Sequence, residues 1–230
     1  MTTSFVLVHS PLVGPVTWRP VGDELRRRGH TAAIARIGSH GLPLWKHHAE
    51  EIAAAVLTTP GDPVLVAHSG AGVLLPEAGR RAPRTVAAYV FVDAQIPSDG
   101  RSRIDLWREH EPVLVAAMEA SLAAGERGPF WDDAELRAEV PDDELRDRLQ
   151  AEVQPRGSEL YAERVEVFPG WPDAPCGYVQ FTDAYAPYAD EAERRGWPVT
   201  RADAGHFHML ADPVGVADLL EEITHVAIEA

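Results

Sequence analysis

Residues 64 to 72 read Val-Leu-Val-Ala-His-Ser-Gly-Ala-Gly, and this string constrains the chain more than any other. An apolar run ends at a serine flanked by small residues, and a stretch with helical spacing follows. A strand that turns directly into a helix leaves no room for a large side chain two positions either side of the turning residue. Those positions hold Ala67 and Ala71, with Gly70 and Gly72 beside them. The string is an A-x-S-x-A variant of G-x-S-x-G, which presents a serine hydroxyl at the tip of a tight strand-to-helix turn. Ser69 is the candidate nucleophile, and the Gly70 N–H is a candidate donor to an oxyanion beside it. A serine can also merely fill a tight turn, so the rest of the chain has to decide.

Short apolar runs alternate with helical periodicity on both sides of this string. Strands are expected at Phe5 to Val8, Thr31 to Ile37, Val64 to Ala67, Val86 to Val92, Tyr178 to Thr182 and Trp197 to Arg201. Helical faces fall between them: Trp18, Val21 and Leu25; Leu44, His48, Ile52 and Val56; and a segment around Asp190 to Arg195. A final helix has Asp212 as its N-cap and Pro213 at its first position. Pro76 should kink the helix after the serine unless it lies in the first turn. Such alternation implies a parallel sheet covered on both faces, about six strands in all. From about Pro97 to Pro169 the rhythm is lost. Helical pieces such as Asp105 to Ala124 and Asp142 to Val153 replace it, with no convincing strand. The expected organisation is a core of residues 1–96 and 170–230, with residues 97–169 as a helical lid.

Chain order supplies the second argument. A serine, then candidate acids, then a Gly-His pair before the last helix is the order Ser69, Asp93 or Asp183, and Gly205-His206. A serine hydroxyl is a poor nucleophile at neutral pH and needs a base within hydrogen-bond reach. The string Ala204-Gly205-His206-Phe207-His208-Met209-Leu210, followed by Asp212-Pro213, resembles the terminal histidine loop of the α/β-hydrolase superfamily. The string Val6-Leu7-Val8-His9 resembles its oxyanion strand. The chain is most similar to the small subgroup that includes methylesterases and hydroxynitrile lyases. The resemblance covers nearly the whole chain and is weakest in the insertion. It implies an α/β-hydrolase fold, with the first two family strands missing.

The resemblance also implies roles. Ser69 is the nucleophile and His206 the base, with His208 a rival should the loop register shift. The acid holds the imidazole in one tautomer. Asp183, after the penultimate strand, is preferred; Asp93, at the end of the strand before the insertion, is its competitor. Either could instead cap a turn. His68 is expected to pack beside the elbow or touch substrate.

One departure stands out. Where the family reads H-G-x, with the N–H of x in the oxyanion hole, this chain reads His9-Ser10-Pro11. Proline has no N–H. Three expectations follow: the Leu12 N–H or the Ser10 hydroxyl takes over; the substrate is intrinsically reactive; or the reaction develops no acyl oxyanion. The apolar insertion, with Leu106, Trp107, Val113, Leu114, Met118, Phe130 and Trp131, favours a small hydrophobic substrate. Trp107 and Trp131 are therefore candidate substrate contacts. The expected activity is a serine hydrolase of a small, fairly apolar ester or lactone. The alternatives are a lyase, cyclase or isomerase using His206 as base, or a non-catalytic small-molecule binder.

Composition narrows the partners. The net charge of −15 over 230 residues disfavours nucleic acid and anionic membranes. The single cysteine, Cys176, excludes an intramolecular disulfide and requires no oxidising compartment. The short N-terminal apolar run has no basic flank and is too brief for a signal peptide or a span, so a cytoplasmic protein is expected. No cofactor or metal is expected: Gly70-Ala71-Gly72 lacks the rest of a dinucleotide fingerprint, and His47-His48 diverge on a helix. A monomer or a homodimer fits equally.

Overall fold

The computed structural model describes residues 2–38 and 40–229. Six parallel strands form one sheet: β1 (Ser4–Val8), β2 (Thr31–Ala35), β3 (Val64–Ser69), β4 (Ala88–Ala94), β7 (Cys176–Gln180) and β8 (Val199–Arg201), in the order β2-β1-β3-β4-β7-β8. Strands β5 (Arg101–Ser102) and β6 (Arg164–Val165) pair separately, antiparallel. The helices in chain order are α1 (Arg19–Arg27), α2 (Leu44–Val56), α3 (Leu75–Arg81), α4 (Arg103–Arg108), α5 (Pro112–Ala123), α6 (Asp133–Glu139), α7 (Asp143–Ala151), α8 (Ser158–Tyr161), α9 (Ala186–Arg194), α10 (His208–Ala211) and α11 (Pro213–Glu229).

The apolar strands are explained by burial on two faces. Every residue of β4 is buried, and alternate residues face different cores. Tyr89 and Phe91 join the core containing Trp45, Ile52 and Ala189 from α2 and α9. Val90 and Val92 join the core containing Val21, Leu25, Leu220 and Ile223 from α1 and α11. The strand starts two residues later than its apolar run, at Ala88, and the Ala87 N–H just before it bonds the Pro63 carbonyl at 2.8 Å.

Prolines set several helix limits. Pro76 lies in the first turn of α3, where its missing N–H costs nothing, so no kink results. The expected helix over Asp105 to Ala124 is instead α4 and α5, divided where Pro112 opens α5. Asp212 accepts the Gly215 N–H at 2.9 Å and Pro213 opens α11, as the cap pattern predicts. Five helices, α4 to α8, occupy the stretch between β4 and β7; the expectation of no strand there is corrected by the two-residue strands β5 and β6, too short to leave a sequence pattern. Among the described residues no helix is long and apolar enough to cross a membrane.

Candidate active site

The site forms at the carboxyl ends of β3 and β4, where parallel sheets gather ligands. Two residues there carry backbone strain. Ser69 has φ 59° and Asp93 has φ 43°, and they are the non-glycine residues with positive φ among those described. A left-handed conformation of this kind costs on the order of 1–3 kcal/mol and persists only where the surroundings hold it. Around Ser69 the Ala71 N–H bonds the His68 carbonyl at 3.1 Å, and the Gln95 N–H bonds the Ser69 carbonyl at 3.2 Å. The β3–β4 register shifts between His68 and Ser69. Gly72 lets this turn close against β4: a Cβ there would stand 2.1 Å from the Gln95 carbonyl oxygen.

Asp93 meets His206 across 113 residues of sequence, with Nδ1–H donating to Oδ2 at 2.6 Å. The Asp93 side chain is fully buried, whereas the His206 side chain is 22 % exposed. Three further donors hold the carboxylate: the Phe181 N–H at 2.9 Å, the Thr182 N–H at 3.0 Å and the Thr182 hydroxyl at 2.9 Å. The preference for Asp183 is thereby corrected in geometry. Asp183 is exposed at the start of a 3-10 turn, and the β7 terminus just before it serves as the hydrogen-bond cradle for Asp93. His208 stacks edge-on against Phe181 at 5.4 Å.

His68 is a neutral support for His206. Its Nε2–H donates to the His206 carbonyl at 2.9 Å, and the two rings lie 4.3 Å apart. Burial pushes the His68 imidazole well below its usual pKa, with the charge of a protonated His206 acting in the same direction. His9 is similarly buried, which lowers it to about 4. Its Nδ1–H donates to the Ser10 carbonyl at 2.8 Å and its Nε2 accepts from the Ile37 N–H at 3.3 Å, fixing the loop that follows β1.

Pro11 sits in a turn of that loop. The Val13 N–H closes a turn on the Ser10 carbonyl at 3.1 Å, with Pro11 at the second position, where its fixed φ suits the turn. The Leu12 N–H bonds the Ser10 hydroxyl oxygen at 3.4 Å. The Ser10 hydroxyl keeps its own hydrogen to donate and lines the cavity together with Ser69. The Gly70 N–H makes no backbone hydrogen bond among the described residues.

Sequence reasoning missed Tyr185. Its hydroxyl lies 3.3 Å from Ser69 Oγ, and its ring stacks on His206 at 5.1 Å with 9° between the planes. Burial raises the phenol far above its ordinary range, with Asp93 adding to the effect, so it stays protonated. No motif marks this tyrosine; its place follows from the 3-10 turn after β7.

The cavity has two parts. An outer cleft of about 550 Å³ is lined by His68, Ser69, Trp107, Trp131, Tyr185 and His206, among others. An inner chamber of about 50 Å³ lies beside Ser69, Gly70, Pro11 and Arg103. Trp107 and Met118 line both. Leu114, Phe130 and Trp131 line the outer cleft as well. Leu106 packs in the sheet core instead, and Val113 is 84 % exposed.

Comparison with known proteins agrees with this architecture. The model of the alpha/beta hydrolase family matches residues 5–219. An esterase of Oryza sativa subsp. japonica, PIR7B, is 34 % identical over 108 residues, which is 42 % of this chain and 40 % of the rice protein. The chain thus matches less than half the length of that relative. Among solved structures, an extracellular alpha/beta-hydrolase from a Paenibacillus species superposes with a TM-score of 0.77 at 17 % identity, over 96 % of this chain and 98 % of that one. Polyneuridine aldehyde esterase gives 0.74 at 17 % identity, over 97 % and 100 %. Tomato methylketone synthase I, solved with 2-tridecanone, gives 0.72 at 17 % identity, over 99 % of each chain.

Proposed function

The chain belongs to the alpha/beta hydrolase family, and from that premise we propose that it is a serine hydrolase of small, fairly apolar esters or lactones. The observation that carries the reading is the Asp93–His206 contact at 2.6 Å in the cavity that also holds the strained Ser69. Similarity to a rice esterase and the likeness of fold to polyneuridine aldehyde esterase support it.

Each step has a residue in this reading. Asp93 holds Nδ1–H of His206, which leaves Nε2 as the nitrogen free to take a proton. Ser69 Oγ attacks the ester carbonyl carbon as its proton passes to His206. The tetrahedral oxyanion accepts hydrogen bonds from the Gly70 N–H and the Ser10 hydroxyl, the latter replacing the donor that Pro11 lacks. His206 returns the proton to the departing alkoxide, and the alcohol leaves. Water then attacks the acyl-enzyme, giving a proton to His206, and Ser69 regains its proton as the acid is released. Tyr185, neutral and bonded to Ser69 Oγ, holds the hydroxyl in place between turnovers.

A second reading is favoured by Pro11 together with the Tyr185 bond to Ser69: a lyase- or isomerase-type reaction in which His206 abstracts a proton and Ser69 is never acylated. Hydrolysis of p-nitrophenyl acetate separates the two. The hydrolase reading expects Ser69→Ala and His206→Ala to abolish it. Turnover of a non-ester substrate that survives Ser69→Ala but not His206→Ala supports the second reading.

A further inference from the structure

The inner chamber is lined by a cation that has no carboxylate in salt-bridge contact among the described residues. Arg103 opens α4 and is 5 % exposed. Its Nε donates to the Gly70 carbonyl at 3.1 Å and its Nη1 to the Leu160 carbonyl at 3.2 Å, while Nη2 has no partner. Arg28, Arg81 and Arg146, by contrast, each bond a carboxylate. The chief compensating charge is Glu163, but Glu163 Oε2 accepts the Trp45 N–H at 2.8 Å. Burial lowers the guanidinium to about 10, which leaves it cationic at neutral pH.

Burying a charge without a direct ion pair is expensive, and a perturbed charged group of this kind in a cleft marks a candidate functional site. The position here is specific. Arg103 bonds the residue after Ser69, and a Cβ at Gly70 would stand 3.4 Å from Arg103 Nε and 3.9 Å from Pro11 Cδ. The chamber of about 50 Å³ exceeds the volume one water needs and suits a group the size of a carboxylate. The outer cleft has the opposite charge: Glu111, Glu135 and Glu139 line it. An anion is therefore disfavoured at the mouth and favoured inside.

We propose that Arg103 binds a carboxylate carried by the substrate, so that the compound acted on at Ser69 is a half-ester or related acyl compound with an ionised acid close to the scissile carbonyl. This assignment rests on the hydrolase reading for the reaction, but the binding it describes does not require turnover. The acid enters the inner chamber and approaches the Arg103 guanidinium that lines it. The ester carbonyl then lies at Ser69, and the apolar alcohol portion remains against Trp107, Met118 and Trp131 in the outer cleft.

The test is direct binding to Ser69→Ala protein by isothermal titration, with monomethyl glutarate against dimethyl glutarate. The two esters match in backbone and differ in one ionised carboxylate. The half-ester is expected to bind about 10- to 100-fold more tightly, the range of a charge-assisted hydrogen bond. The preference should vanish in Ser69→Ala/Arg103→Met and persist in part in Ser69→Ala/Arg103→Lys. Should the Met variant fail to fold, Arg103→Gln keeps donors for the Gly70 and Leu160 carbonyls and is read instead. Equal binding of both esters to Ser69→Ala overturns the proposal, as does a preference that survives Arg103→Met or Arg103→Gln. Neither result bears on whether Ser69 is acylated, which is read from turnover of neutral esters by the unmodified enzyme.

Discussion

Asp93 Oδ2 lies 2.6 Å from His206 Nδ1, and the same carboxylate accepts both backbone N–H groups of Phe181 and Thr182. One buried side chain therefore ties the end of β4 to the end of β7 and to the histidine loop.

Asp93→Asn is expected to cut kcat for p-nitrophenyl acetate by about 10⁴-fold, since an amide facing these donors selects the wrong imidazole tautomer. Asp183→Asn, exposed and away from the histidine, should change it less than about twofold. Steady-state kinetics of both variants decide between them; a larger loss in Asp183→Asn would reverse the assignment.

The choice between these aspartates shows what the sequence could carry. The strand–helix alternation, the serine turn and the Gly-His loop each leave a local pattern, and the fold contains each of them, with strand limits displaced by up to two residues at β4, β7 and β8. The acid leaves none, because an aspartate after a strand looks alike whether it caps a turn or reaches a histidine. Backbone strain at Asp93 is a tertiary property with no composition signal. Tyr185 and Arg103 were illegible for the same reason. One is placed by a 3-10 turn, and the other stands in an Arg- and Glu-rich insertion that reads as a solvated surface.

Ser10→Ala removes the hydroxyl that stands in for the N–H missing at Pro11. It is expected to lower kcat by about 10²-fold with KM little changed, the pattern of a donor used only in the transition state. Tyr185→Phe, which loses a ground-state bond to Ser69 Oγ, should cost less than Ser10→Ala. The comparison is made on kcat for one neutral ester, and the reverse order would make Tyr185 the oxyanion donor.

Stability should fall on acidification before the carboxylates titrate. His9 is held at about 4 in the folded protein against 6.5 for a free imidazole. Below pH 6.5 the unfolded chain takes up a proton that the folded chain refuses, so stability is lost progressively down to pH 4. The difference is worth roughly 3 kcal/mol for this group at full extent. His68, also buried and lowered, acts in the same direction. Urea melts between pH 7 and 4 should show the loss, and His9→Asn should flatten part of it. A pH-independent midpoint over that range would contradict the buried neutral histidines.

Whether Ser69 is a nucleophile activated by His206 is read by a fluorophosphonate probe followed by peptide mass spectrometry. A single stoichiometric adduct is expected on the peptide containing Ser69, lost in Ser69→Ala and slowed by at least about 10²-fold in His206→Ala. An esterase-active preparation that takes up no label, or takes it elsewhere, would contradict it.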